Sequence, residues 1–321
     1  MKFLSFIFLF VFAATTLAQG VDSLKIKKNG EQVYQINDDL QYVYQRPKPF
    51  TFITHIPKNY ANLGKESIKK ENVKWLGLTL ASTLILYGAD EHFIDASQNI
   101  RNLGVTENHE YGKLFNQIDY PKNTSAALYH LGHGNTSLLI GVGFLTVGGI
   151  TKDYRAIHTS SEILEGILTL GVFTQGLKRV FGRESPESST QPRGKWSGFP
   201  GWNEYMENTS SYDAMPSGHV ATLTSTITIL ANNYPEVKWI RPVGYTLIGV
   251  LGIEMMNSGV HWSSDYPLGF LIGYSVGSVV ANSKITKIKT DKYSGKPIGF
   301  NTNFMIQRQY GDNLFGIIVT F

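Results

Sequence analysis

The stretch GVHWSSDYPLGF, residues 259–270, sets His261 four places before Asp265 and then passes without a break into the uncharged segment YPLGFLIGYSVGSVVANS from Tyr266. An equally uncharged segment, PVGYTLIGVLGI from Pro242, leads into it. Two apolar runs of helical length flanking a short polar turn read as two helices joined at that turn. The turn carries an imidazole and a carboxylate one helical turn apart.

Four more segments of the same kind lie upstream: WLGLTLASTLILYGA from Trp75, GNTSLLIGVGFLTVGGI from Gly134, GILTLGVFTQGL from Gly166 and HVATLTSTITILANNY from His219. Each is bounded by charge, glycine or proline, which are helix stop signals. The expected fold is therefore all-α, a helical bundle of about six core helices over residues 73–283, with small β appendages at the N- and C-terminal ends. QVYQIN and LQYVYQ supply alternating pieces in a polar segment spanning residues 19–72, and the last residues read as a linker and a hairpin around YGDN within 284–321. A membrane-spanning helix needs about 20 apolar residues. These runs are shorter, and the mean hydropathy is −0.11, so core helices of a soluble or peripheral domain are favoured over spans.

At 42% apolar and 17% charged residues the chain has ample material for a core, and a net charge of +4 with no basic stripe speaks against a nucleic-acid partner. With no cysteine, disulfides, thiolate metal sites and cysteine nucleophiles are excluded. The opening MKFLSFIFLFVFAATTLAQG has the layout of a secretory signal peptide over residues 1–18. Export to a periplasm or an envelope membrane is the expectation. Between residues 90 and 133, Glu91, His92, Glu107, His109 and Glu110 share no helical face, so no metal is expected there, and His130 with His133 reads as a satisfied polar turn.

Three polar clusters sit at helix ends. GLKRVFGRESP places Lys178, Arg179 and Arg183 at and beyond the end of the third helix. MPSGHVATLT makes Ser217 an N-cap ahead of Gly218 and His219, with the free amides of the first turn facing forward, a ready anion site. The third cluster is His261 and Asp265. Helices joined by short connections run antiparallel, which brings all three clusters to one end of the bundle. Cations, free amides and two histidines suit a tetrahedral oxyanion, one histidine attacking and the other moving a proton.

The combination of PSGH at 216–219 with GVHWSSDYPLG at 259–269, preceded by LKRVFGR, resembles the type 2 phosphatidic acid phosphatase superfamily, which includes class A acid phosphatases and vanadium haloperoxidases. The resemblance covers roughly residues 134–281. It implies that His261 is a nucleophile forming a phosphohistidine, that Asp265 orients it, that His219 protonates the leaving oxygen, and that Lys178, Ser217 and Gly218 bind phosphate oxygens. It implies no cofactor. Two departures stand out. The family's lysine, six residues, Arg-Pro pattern has Ser185 before Pro186 here, and the arginine six places before the nucleophile is replaced by Met255, next to Glu254. Arg183 is the natural substitute for phosphate binding.

The expected function is an exported, metal-independent phosphatase for a phosphomonoester or diphosphate, with a lipid phosphate favoured, a phosphorylated lipid or small phosphate ester as partner, and a membrane surface as a second one. The alternatives are a weakened member of the fold that binds phosphate or phospholipid without turnover, and a phosphotransferase.

Overall fold

A computed structural model describes residues 25–26, 30–114, 118–289, 301–309 and 312–320. The signal-peptide segment, residues 1–18, lies outside the described residues. The fold is helical, with a few small antiparallel strands near its ends.

The six apolar segments from Trp75 onward lie in helices, and two short helices precede them, α1 (Thr51–Thr54) and α2 (Ile56–Ser67). Helix α3 (Lys70–Ser97) is longer than its apolar run, and α4 (Thr124–His130) is a single short piece. The bundle continues with α5 (Gly134–Thr151), α6 (Tyr154–Phe181), the small α7 (Trp202–Glu207), α8 (Gly218–Asn233), α9 (Ile240–Asn257) and α10 (Tyr266–Asn282). Local chemistry sets the ends. Asn123, Asp153 and Ser217 accept from backbone amides of the first turns of α4, α6 and α8, and Gly182, in the left-handed region, terminates α6.

Helix α8 is the central element, packed against α6, α9 and α10. Its side chains are buried on nearly every face, including Val220, Leu223, Ile227, Ile229 and Leu230. The tightest contact is with α10, whose Gly269, Gly273 and Gly277 recur every four residues and lie directly on backbone carbonyls of α8. A Cβ at Gly269 would stand 2.6 Å from the Ser217 carbonyl oxygen and one at Gly277 2.7 Å from that of Ser225. The approach to the Ala221 carbonyl at Gly273 is closer still. The glycines thus fix the height of the α10 start, and the turn before it, relative to the start of α8.

At the opposite end of the bundle a four-stranded antiparallel sheet runs in the order β1 (Lys25–Ile26), β2 (Gln32–Asn37), β3 (Leu40–Tyr44), β6 (Thr286–Lys289). Residues read from sequence as a basic linker after α10 thus form a strand that pairs with the N-terminal hairpin, Gln41 opposite Ile288. The sheet is fastened to the bundle where the Tyr44 hydroxyl donates to Asn233 Oδ1 (2.8 Å) at the last residue of α8. Strands β4 (Tyr111–Leu114) and β5 (Ile118–Pro121) form a hairpin between α3 and α4, and β7 (Asn301–Gln309) pairs with β8 (Asp312–Thr320).

These packing distances make a testable contrast. Gly273→Ala should destabilise the protein by about 1–3 kcal/mol through overpacking. Gly249→Ala, at a helical position with open space around it, should stabilise by about 0.4–1 kcal/mol. Thermal unfolding of the two variants beside wild type measures both signs.

Candidate functional site

Three helix boundaries meet at the end of the bundle away from the four-stranded sheet: the last turn of α6, the first turn of α8 and the turn between α9 and α10. The ring centroids of His219 and His261 are 6.1 Å apart. Lys178 is buried and donates from Nζ to Asp213 Oδ2 (3.1 Å). A Cβ on Gly218 would lie 3.8 Å from that same Nζ, so the lysine head and the Gly218 backbone share one small region. Ser217 is fully buried, and its hydroxyl accepts from the Val220 amide (3.3 Å) as the cap of α8.

Asp265 is buried under this pair, with Oδ2 3.6 Å from His261 Nδ1. That is beyond hydrogen-bond length, and His261 Nδ1 has no hydrogen-bond partner among the described residues. The carboxylate is held by others. Oδ2 accepts from the Trp262 amide (2.8 Å), and Oδ1 accepts from Arg183 Nη1 (2.6 Å).

Arg183 therefore corrects the expectation that it binds phosphate. Its guanidinium is fully buried. Nη1 also donates to Ser264 Oγ (2.7 Å), Nη2 to Asp90 Oδ2 (2.7 Å) and to the Arg193 carbonyl (2.9 Å), and Nε to that same carbonyl (3.2 Å). A guanidinium has five N–H donors, and these bonds use all of them. Tyr87, Trp196 and Trp262 surround it with ring centroids 5.0–5.2 Å from the guanidinium carbon. Asp90, from α3, was not legible as a site residue. It accepts from Arg183 and also from Ser263 Oγ (2.7 Å), Ser264 N (3.0 Å) and Ser264 Oγ (2.6 Å). Its only sequence signal is that it is the first charged residue after an apolar run.

The two replaced arginine positions supply no cation. Ser185 is buried with its amide donated to the Ser210 carbonyl (2.8 Å), and Met255 is wholly in the core. Glu254, beside it, is entirely buried and is met by His109 Nε2 at 2.6 Å. The other polar residues of the 90–133 region disperse: Glu107 pairs with Arg101 (2.8 Å) and Glu91 accepts from the Arg193 amide (2.7 Å). His133 caps α5 by accepting from the Asn135 amide (3.3 Å), with His130 stacked on it at 5.0 Å.

His219 is enclosed by Tyr129 at 4.7 Å and by Gly132, where a Cβ would stand 2.6 Å from His219 Cβ. Burial pushes the His219 imidazole well below its ordinary pKa, and His261 and Lys178 push the same way. Burial and the neighbouring His133 likewise lower His130, to about 4. Beside Tyr129 opens a cavity of about 440 Å³ walled by His109, Tyr129, Glu187, Ser258 and Val260 among others. The arrangement brings two imidazoles, one buried lysine and the first-turn amides of α8 together at one end of the bundle.

Residues 159–289 match the family model described as PAP2 superfamily. The match is confined to the stretch that carries the three polar clusters. Among solved structures, the chain is similar to a transmembrane PAP2-type phosphatidylglycerolphosphate phosphatase from Bacillus subtilis, with 17% sequence identity, coverage of 64% of this chain and 93% of that one, and a TM-score of 0.42. No curated protein matches the chain. The resemblance read from PSGH and the His-x-x-x-Asp turn is thus shared by the family match, which takes in α8, α9 and α10 whole. Within this PAP2 domain the unusual feature is where the arginine is spent.

Arg183→Lys, which keeps the charge and loses the five-donor fork, should cost about 3–5 kcal/mol, the range for breaking a buried ion pair. Asp90→Ala should cost a similar amount although it lies far from His219 in sequence. Chemical denaturation with tryptophan fluorescence reads both, since Trp196 and Trp262 flank the guanidinium.

Proposed function

We propose that this PAP2 domain is a phosphatase that cleaves a phosphate ester, with a lipid phosphate the favoured class, through a phosphohistidine on His261. The observation that carries the reading is the proximity of His219 and His261, whose ring centroids are 6.1 Å apart with the planes inclined at 69°, with Lys178 and the Gly218 backbone beside them. In the first step His261 Nε2 attacks phosphorus, the P–N bond forms and the P–O bond to the alcohol breaks. His219 gives its proton to the leaving oxygen. In the second step water attacks phosphorus, His219 takes the proton back, and the P–N bond breaks to release phosphate. Asp265, pinned by Arg183 and the Trp262 amide, favours a proton on His261 Nδ1 and so leaves Nε2 as the nucleophilic lone pair. Lys178 and the amides at the start of α8 would carry the charge of the equatorial oxygens.

The loss of both arginines favours a slower member of the family. Charge-assisted hydrogen bonds contribute about 1.5–3 kcal/mol each, so two fewer correspond to roughly a hundred- to ten-thousand-fold in rate. The extreme of that trend is a domain that binds phosphate or phospholipid without turnover.

The membrane reading rests on surface chemistry. Leu78, Leu80, Leu84 and Ile85 of α3, Val142 and Ile150 of α5 and Val172 of α6 are all exposed. Large apolar side chains left exposed in this number on long helices fit a lipid surface. Among the described residues one helix, Gly134–Thr151, is by itself long and apolar enough to cross a membrane. We place the protein at an envelope membrane, with export read from residues 1–18.

Phosphate release from para-nitrophenyl phosphate and from lipid phosphates in mixed micelles is the direct measurement. Turnover should survive EDTA and fall to background in His261→Ala. Turnover retained in that variant would overturn the phosphohistidine route. The pH dependence has a definite sign. Burial, His261 and Lys178 all lower the pKa of His219. A bound anion acts in the opposite direction, so vanadate should raise the His219 titration seen by NMR, and kcat/KM should decline as pH rises from the acid side.

A further inference from the structure

Glu254 stands seven places before His261, where a free carboxylate would repel phosphate. The structure gives it another use. Its buried carboxylate is 2.6 Å from His109 Nε2, and an ionised carboxylate, which can only accept, selects the tautomer with the proton on that nitrogen. The loop carrying His109 is tied down on both sides. Asn257 Nδ2 donates to the Val105 carbonyl (3.3 Å), Arg101 Nε donates to Asn257 Oδ1 (2.9 Å), the Thr106 amide donates to Ser125 Oγ (2.8 Å), and Asn123 Nδ2 donates to the Asn108 carbonyl (2.8 Å). No described residue bonds His109 Nδ1. The ring lies 4.5 Å from Tyr129, which in turn lies 4.7 Å from His219.

His109 and Tyr129 wall the cavity of about 440 Å³, a volume within the usual span of small-molecule pockets, about 300–1,000 Å³. None of Lys178, Ser217 and Gly218 lines it, so it is separate from the place the phosphoryl group would take. Its other walls include Glu107, Asn108, Glu187 and Ser258. Two carboxylates disfavour a second phosphate there, and the polar lining disfavours an alkyl chain.

We propose that this cavity receives the alcohol half of the substrate, that the alcohol carries a free hydroxyl close to the ester oxygen, and that the hydroxyl donates to His109 Nδ1. Glu254 is then a positioning residue acting through His109. The proposal rests on the phosphatase reading for its location, since the leaving oxygen meets His219 and the alcohol extends past it.

The test is a matched pair of substrates with the same carbon count, glycerol 3-phosphate and n-propyl phosphate, assayed on wild type, His109→Phe and Glu254→Ala, each checked for folding by thermal unfolding. A site built around a hydrogen bond discriminates against the analogue that lacks the donor. Wild type should favour the glycerol ester by about 10- to 100-fold in kcat/KM, corresponding to a buried hydrogen bond left unmade. The ratio should collapse toward one in His109→Phe, and in Glu254→Ala chiefly through KM. A merely structural role would lower both substrates together and keep the ratio, and that result, or a wild-type ratio near one, overturns the proposal. A preference for ethanolamine phosphate over the glycerol ester overturns it in favour of recognition by the carboxylates. Absence of turnover on every ester would defeat the phosphatase reading separately. The same pair is then compared by calorimetric binding, where tighter glycerol 3-phosphate binding lost in His109→Phe supports the subsite and equal affinities overturn it.

Discussion

The structure turns on one buried guanidinium. Arg183 joins three pieces of chain distant in sequence: Asp90 near the end of α3, the Arg193 carbonyl in the long loop before α8, and Ser264 and Asp265 in the turn that opens α10. Burying a guanidinium and two carboxylates costs several kcal/mol per ion in desolvation, and only complete pairing offsets it. Here pairing is complete. All five donors are used, Asp90 accepts four bonds, and three aromatic rings close the space around the cation. Helix α3 depends on it most, because only Asp90 and Ser97 of that long helix are buried. Without the ion pair an otherwise apolar, outward-facing helix has little to register it against the bundle.

The same interaction sets the chemistry. Asp265 has two oxygens, one given to Arg183 and the other to the Trp262 amide, so its position beside His261 is fixed by groups that never face solvent. The consequence is that Arg183 is unavailable to an incoming anion. What remains is Lys178, itself bridged to Asp213 at the rim, where Asp213 is partly exposed. Anion binding at this site is then an exchange, in which a phosphate oxygen takes the lysine from a carboxylate that returns to water.

Much of this was legible in the sequence, and the reasons for the rest are physical. Apolar runs bounded by Gly, Pro and charge fixed six helices, because a buried helix must be apolar over its length whatever its neighbours. The convergence of Lys178, Ser217, Gly218, His219, His261 and Asp265 followed from antiparallel connectivity. Arg183 was misread because its partner Asp90 lies 93 positions upstream, and a lone arginine in a loop carries no mark of which carboxylate it will meet. His109 and Glu254, 145 positions apart, are hidden for the same reason. Residues 286–289 looked like a basic linker because a four-residue strand with exposed lysines has no apolar face of its own. Its pairing with β3 is a backbone matter.

The charge balance at this end of the bundle connects these observations. Glu254 is matched by His109, Lys178 by Asp213, and Arg183 by two carboxylates, so the site holds no uncommitted fixed cation among these groups. A pocket built that way gains little from ground-state attraction of a phosphate dianion. On the proposed reading it keeps the elements whose interactions strengthen as the reaction proceeds: His261 with a fixed carboxylate below it, His219, which becomes easier to protonate once an anion is present, and amides at the start of α8. On the proposed reading, binding strength comes from the remainder of the substrate, from its apolar part against exposed apolar side chains of the helices and from its polar part in the cavity beside Tyr129. On that reading, a domain with Ser185 and Met255 at the two arginine positions and its histidines still in register is one in which recognition rests less on phosphate than on what phosphate is attached to.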